Sequence, residues 1–404
     1  MTTAWRYGPP ERDRQYTRYA EIMGMSFNAS AEEVEIKIRA AGSRMIRLVH
    51  DDRQVAGGAL LCPMGQWFQG RVVPMTAIGA VAVHPAQRSR GLAARLMRWA
   101  LEEIHEKEVA LSSLYPALAS LYEQAGYEIA GARYEIRLLP RTFDVRDRAL
   151  EIRELDEREL PKVHALYAER VRDANGPLDR SAPEWQRFFT AFRGPLTRYG
   201  LWNGERLEGC ISYAPRLREG ALMIREMLAA SPSAVNRLLA FLGAHRTQVE
   251  ACVYHGPPAD PILGPLEPFS YQVRVKSPWM LRIVDVARAL EARGYAARAH
   301  GAVTLAVRDD FLAHNRGRFH LEVEEGRATV RKLRGGRASG RAVGQGTARE
   351  DVRIDVRGLA ALYSGFSSAR DLAALTPLAE GNARALETLD AIFAGPTPWM
   401  ADEF

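Results

Sequence analysis

The sequence predicts an α/β chain of the mixed (α+β) kind, built as two successive units of the same outline and a third of different character. Three observations predict it. Apolar β-formers from Met75 to Val83 end at Pro85, a short basic loop follows, and then Leu92, Leu96, Ala100 and Ile104 recur every fourth residue, so the chain passes from strand through a tight loop into a helix. Residues 148–272 repeat that outline loosely. From Ser277 the pattern changes to a short strand, a capped helix, further strands and three closing helices.

With 404 residues the chain has room for two to three domains, each of ~150 residues with its own core. A hydrophobic content of 47% and a charged content of 26% exclude a disordered chain. No apolar run approaches the ~20 residues that span a bilayer, and residues 1–10 lack a signal-peptide core, so the expected location is cytoplasmic, with no membrane partner. Cys62, Cys210 and Cys252 are far apart and show no C-x-x-C spacing; they are expected as buried apolar residues, with neither disulfide nor metal. The net charge of +6 rests on arginine, the only lysines being Lys37, Lys107, Lys162, Lys276 and Lys332, a bias that reports genome composition rather than function.

Residues 1–140 form the first unit. Helices are expected over 11–25 and 31–41, and a hairpin over 45–50 and 54–62 around Asp51-Asp52-Arg53. The strand, loop and helix follow, then a strand over 109–115, Pro116, a short helical stretch and a last strand, giving the order β-α-α-β-β-β-α-β-α-β. An Arg-rich linker, 141–148, leads to the second unit, 148–276. There helices are expected over 159–171, 185–192 and 232–244, with a hairpin at Asn203-Gly204 and strands over 222–229 and 251–254. The third unit, 277–404, opens with a strand over 280–284, after which Asp285 caps a helix over 286–293. Strands over 303–307 and 318–333, turning at Glu325-Gly326, precede three helices between Val356 and Phe393.

The basic loop is the most informative stretch. Gly91 and Ala93 place minimal side chains at a helix start, where backbone N–H groups lack intrahelical partners and the macrodipole favours negative charge. Such a turn cradles a pyrophosphate; the alternative is an ordinary β-to-α turn whose glycine relieves strain. The pattern R-x-x-G-x-A, here Arg88, Gly91 and Ala93 after Val81-Ala82-Val83-His84-Pro85, resembles the acetyl-CoA loop of the GCN5-related N-acetyltransferases (GNAT). It is neither G-x-G-x-x-G nor a P-loop. Tyr122-Glu123-Gln124-Ala125-Gly126-Tyr127 supplies the second element that acetyltransferases of this fold carry, in the expected order. In the second unit the corresponding place reads Ala230-Ser231-Pro232-Ser233-Ala234, without glycine, so that unit is expected to keep the fold and bind no coenzyme. The stretches 279–286 and 355–366 resemble the C-terminal sterol-carrier-like domain of the Eis (enhanced intracellular survival) acetyltransferases.

The resemblance covers essentially the whole chain. It implies tandem GNAT-fold domains, the second degenerate, followed by a sterol-carrier-protein-2-like α/β domain. It further implies a multi-acetylating N-acetyltransferase that uses acetyl-CoA as co-substrate and assembles as a homo-hexamer, some members modifying several amines of aminoglycosides. On the family's pattern, acetyl-CoA is held at Val81, Val83, Arg88, Ser89, Gly91 and Ala93, Tyr122 is the general acid, and the carboxylate of Phe404 is the general base. The departure lies at Leu114-Tyr115-Pro116-Ala117, where better-studied members carry a Ser-Glu-Gly stretch, and Phe27-Asn28-Ala29-Ser30 offers no acid for an antibiotic. The expected acceptor is therefore a polyamine-like small molecule or a peptide lysine, its identity left open.

The chemistry agrees with those roles. An amine attacks a thioester only when deprotonated, and the departing thiolate needs a proton or a hydrogen bond. A tyrosine with an ordinary pKa of ~10 is a poor base but a serviceable donor, which gives Tyr122 the acid role; Tyr115 and Tyr127 are expected as core. His84 beside the loop is the alternative base, although a histidine before Pro85 reads first as a solvated loop residue. The stretch 331–349 is basic but carries no aromatic residue on which bases stack, so a mobile loop and no nucleic-acid partner are expected. The competing reading is a non-enzymatic lipid- or partner-binding protein whose acetyltransferase domains are scaffold; the intact Arg88, Gly91, Ala93 and Tyr122 favour the enzyme.

Overall fold

The fold is described from a computed structural model that covers residues 5–180, 185, 196–214, 220–333 and 351–404. The helix expected over 185–192, apart from Trp185, and most of the loop expected over 331–349 lie outside the described residues.

The first unit has the expected order: β1 (Arg6–Gly8), α1 (Asp13–Phe27), α2 (Ala31–Ala41), β2 (Ile46–His50), β3 (Val55–Phe68), β4 (Arg71–Val83), α3 (Leu92–Glu106), β5 (Leu111–Leu114), α4 (Ala119–Glu123) and β6 (Glu128–Leu138). Strand β3 runs past the expected end at Cys62. Pro63 reads as a stop, yet it pairs with Thr76 of β4 at a point where β3's other edge, between its partners β2 and β8, makes no ladder among the described residues, so its missing N–H costs nothing. The real turn is Gln69-Gly70, both at positive φ. Helix α3 buries Leu92, Leu96, Ala100 and Ile104, the stripe read from the sequence, together with Met97 and Leu101.

The second unit contributes β7 (Glu151–Glu154), α5 (Leu160–Val171), β8 (Asn175–Asp179), β9 (Thr197–Asn203), β10 (Arg206–Tyr213), β11 (Ala221–Ala229), α6 (Pro232–Gly243) and β12 (Ala251–Gly256). Then come β13 (Tyr271–Ile283), α7 (Val286–Ala292), β14 (Gly301–Arg308), β15 (Gly317–Glu324), β16 (Arg327–Leu333), β17 (Asp351–Asp355), α8 (Val356–Ser364), α9 (Ala369–Leu375), β18 (Ala379–Glu380) and α10 (Ala383–Phe393). Asp285 caps α7 as expected, its side chain accepting from Arg288 N. Among the described residues no helix is long and apolar enough to cross a membrane.

The strand expected at Met280 begins nine residues earlier, at Tyr271. Its first half is exposed on both faces and carries no burial pattern, which is why the periodicity missed it. It inserts between β5 and β6, so both acetyltransferase-like units share one sheet, ordered β1-β2-β3-β4-β5-β13-β6-β12-β11-β10-β9-β7, with β8 also on β3. A second sheet, β16-β15-β14-β17-β18, belongs to the C-terminal unit. The two larger units repeat one feature: β4 and β5 pair in parallel only from Met75↔Leu111 to Ala77↔Ser113, and β11 and β12 only from Ala221↔Ala251 to Met223↔Val253. Beyond those pairs each strand couple parts and leaves a cleft.

The last residues are built into this sheet. Trp399 N donates to Asn175 O of β8 at 3.0 Å and Met400 N donates to Ala132 O of β6 at 3.2 Å, so the tail bridges β6 and β8 and closes a ring of strands through β3, β4, β5 and β13. Met400 and Trp279 are fully buried within the core that this ring encloses. In the core that the C-terminal unit shares with the first, the Arg293 guanidinium is fully buried among Tyr295, Tyr363 and Phe393, with centroids 4.8–5.0 Å away.

Candidate active site

After β4 the chain makes a single 3₁₀ turn, Pro85–Gln87, capped by His84, whose Nδ1 accepts from Ala86 N at 3.2 Å. That bond engages the ring's lone pair at Nδ1, so His84 serves the loop's shape. Arg88 braces the loop through Nε to Val83 O at 3.2 Å and Nη2 to Ser26 Oγ at 3.3 Å, tying it to the end of α1. Ser89 and Gly91 take φ of 58° and 72°, which turns the backbone into α3. Gly91 is the N-cap and makes no side-chain cap, and a Cβ placed on it would meet nothing within 4 Å. The amides of Leu92, Ala93 and Ala94 have no hydrogen-bond acceptor among the described residues.

Val81 lies in a bulge of β4: Leu60 pairs with Gly79 and Gly58 with Ala82, so Ala80 and Val81 together oppose one residue, with Ala80 at φ 52°. Tyr19 holds the bulge by donating to Ala80 O at 2.6 Å. Val81 and Val83 pack, half-buried, on the core beneath α3. Tyr122 belongs to the same core; it is buried, its hydroxyl takes no hydrogen bond among the described residues, and burial raises its pKa above the usual value. Tyr127, by contrast, is a core residue as expected, its hydroxyl 2.7 Å from Ser112 Oγ.

Phe404 reaches the cleft between β4 and β5 from the other face. A Cβ placed on Gly79 would lie 3.4 Å from both the carboxyl carbon and an oxygen of Phe404. The Phe404 ring packs on Tyr115 with centroids 5.4 Å apart, and Tyr115 Oη donates to Asp402 O at 2.7 Å. Tyr115 packs on the main core, as expected, and in addition holds the tail, a role nothing in the sequence marked. Arg133 of β6 pairs with Glu403, and Arg180, just after β8, pairs through Nε with Asp402 at 3.1 Å. Both arginines were passed over in the sequence because nothing local marks them. The structure thus gathers Gly79, Tyr115 and the Phe404 carboxylate at the cleft, and sets Tyr122 with Val81 and Val83 in the core on the other face of β4.

In the second unit the equivalent helix start is differently built. Pro232 removes one N–H, Ser231 Oγ accepts from Ala234 N at 3.1 Å, and the same hydroxyl donates to Glu208 Oε2 at 2.6 Å. A serine cap and a carboxylate thus stand where a pyrophosphate would bind.

Comparison with known proteins gives three matches along the chain. Residues 10–130 and 176–283 each match an acetyltransferase (GNAT) domain family, and residues 286–401 match the sterol carrier protein domain. A protein of Streptomyces griseus named as an uncharacterized N-acetyltransferase is 29% identical over 367 residues, 83% of each chain. The crystal structure of a GCN5-related N-acetyltransferase from Anabaena variabilis superposes with a TM-score of 0.90 at 32% identity, over 99% of this chain and 100% of that one. Eis1 from Mycobacterium abscessus shares the fold, with a TM-score of 0.78 at 21% identity over 99% and 100% of the two chains.

Proposed function

This chain belongs to the GCN5-related N-acetyltransferases, and we propose that it carries acetyl from acetyl-CoA to a primary amine at the cleft between β4 and β5, in the manner of the Eis enzymes. The observation that carries the reading is the placing of the Phe404 carboxylate against Gly79, past the last β4–β5 pair. Acetyl-CoA supplies a thioester carbonyl and a sulfur leaving group. The loop residues Arg88, Ser89, Gly91 and Ala93 hold its pyrophosphate through the open amides of α3, and Val81 and Val83 line its path along β4. The Phe404 carboxylate takes the proton from the attacking ammonium, so the nitrogen lone pair forms the new C–N bond as the C–S bond breaks. Tyr122, whose pKa burial raises above the usual value, donates its proton to the departing sulfur and takes back the second proton that the acylated nitrogen sheds. The second unit, its helix start filled by Ser231 and Glu208, binds no coenzyme.

The acceptor class is a polyamine-like molecule such as an aminoglycoside, or a peptide lysine. A thiol-release assay with acetyl-CoA against aminoglycosides, polyamines and lysine peptides tests this; turnover on none of them returns weight to a binding role for the sterol-carrier-like unit. The homo-hexamer and the cytoplasmic location carried by the family likeness are likewise proposals, which light scattering and fractionation check.

A further inference from the structure

The cleft of the second unit is not empty of purpose. Where β11 and β12 part, Met227 and Leu228 on one side and Tyr254 and His255 on the other line a small cavity, and the residues that border it include Arg180, Glu226 and, from the tail, Trp399 and Ala401. The tail therefore borders the second unit's cleft before its end reaches the first unit's cleft. Arg180 is fixed there from several directions. Its side chain is 1% exposed, its guanidinium lies 3.9 Å from the Tyr167 ring centroid, it pairs with Glu226 of β11, and its Nε reaches both carboxylate oxygens of Asp402 at 3.1 and 3.3 Å.

We propose that the second unit's cleft has become a clamp for the tail, in which Arg180 is a positioning residue that sets the Phe404 carboxylate through Asp402. The inference rests on the reading of that carboxylate as the base. Asp402 lies two residues from the chain end, and Tyr115 Oη bonds its carbonyl oxygen at 2.7 Å, so fixing Asp402 leaves the terminal carboxylate a reach of only two residues. A buried, charge-assisted contact of this kind is rigid, and its loss frees the end locally without opening the core. Asp402→Asn is the gentle perturbation, since Arg180 keeps Glu226; Arg180→Lys keeps the charge and loses the fork.

The test has two arms on the full-length protein. Carboxypeptidase A releases a C-terminal phenylalanine only from a tail that has come loose. Phe404 release is expected to quicken at least ~10-fold in Asp402→Asn and in Arg180→Lys, with the melting temperature of Asp402→Asn near wild type. Release at the wild-type rate in both variants overturns the clamp, whatever the carboxylate does. The second arm compares kcat for Asp402→Asn alone, for a chain extended by one glycine after Phe404, and for the two together. The clamp acts through the carboxylate if each change lowers kcat ~10-fold or more, with KM for acetyl-CoA unchanged, and the double variant is no slower than the extended chain. Multiplying losses would make Arg180 and Asp402 structural only. Full activity of the extended chain would remove the carboxylate as base, leaving the first arm to judge the clamp by itself.

Discussion

Gly79 gives the sharpest prediction about the cleft. Its backbone lies outside the left-handed region, and the point where a Cβ would stand is 3.4 Å from the carboxyl carbon and oxygen of Phe404. Gly79→Ala therefore makes an ordinary contact, and kcat should stay within about threefold of wild type. Gly79→Val adds γ-carbons ~1.5 Å further out, so the carboxylate must retreat by ~1 Å or more, against a hydrogen-bond window only ~0.5 Å wide. A misplacement of ~1 Å costs on the order of 10²-fold in rate, so Gly79→Val should lower kcat by about that factor. Stability should move the other way: replacing an interior strand glycine with a residue that adopts its φ and ψ contributes ~0.5–1 kcal/mol. The assay is steady-state thiol release at saturating acetyl-CoA, alongside calorimetric affinity for the coenzyme and a thermal melt. Wild-type kcat in Gly79→Val, or a kcat loss matched by an equal loss of acetyl-CoA affinity, would show that the carboxylate does not work at this spot.

Tyr122→Phe keeps the ring and removes only the hydroxyl, so kcat should fall ~10²–10⁴-fold with little change in acetyl-CoA affinity; a loss under tenfold would reduce Tyr122 to packing. Gly91→Val meets open space but takes a β-branched residue to φ 72°, which costs ~1–2 kcal/mol of strain and walls off the amides of α3. Calorimetry should show a raised Kd for acetyl-CoA on a protein that still melts cooperatively, and unchanged affinity would move the coenzyme site elsewhere. His255 is pushed down to about 3 by burial first and then by Arg133, Arg225, Lys276 and Arg274. Because folding depresses this pKa, the unfolded chain takes the proton first. The stability His255 contributes is full above its ordinary value of ~6.5 and is lost as pH falls toward about 3, by at most ~1.4 kcal/mol per pH unit. Urea melts at pH 7 and pH 5 should therefore differ less in His255→Asn than in wild type, and equal slopes would contradict the assignment.

The sequence by itself determined what is local. The stripe Leu92, Leu96, Ala100, Ile104 fixes the buried face of α3, Gly91 fixes the turn into it, Asp285 caps α7, and the missing glycine at 230–234 marks the second unit's altered loop. Each of these rests on neighbours within a few residues, where spacing and backbone chemistry are sufficient. What only the tertiary structure decided is non-local. Strand β13 enters between β5 and β6 with an exposed first half that leaves no periodicity to read. The likeness to a known family implied a role for Phe404, but its seat depends on Gly79, Tyr115 and Arg180, which lie between 224 and 325 residues away along the chain. No pattern in sequence marks a glycine that must be bare for a distant carboxylate, or an arginine whose partner lies two residues from the chain end. Those positions acquire meaning only when the sheet closes and the tail is laid along it to the first unit's cleft.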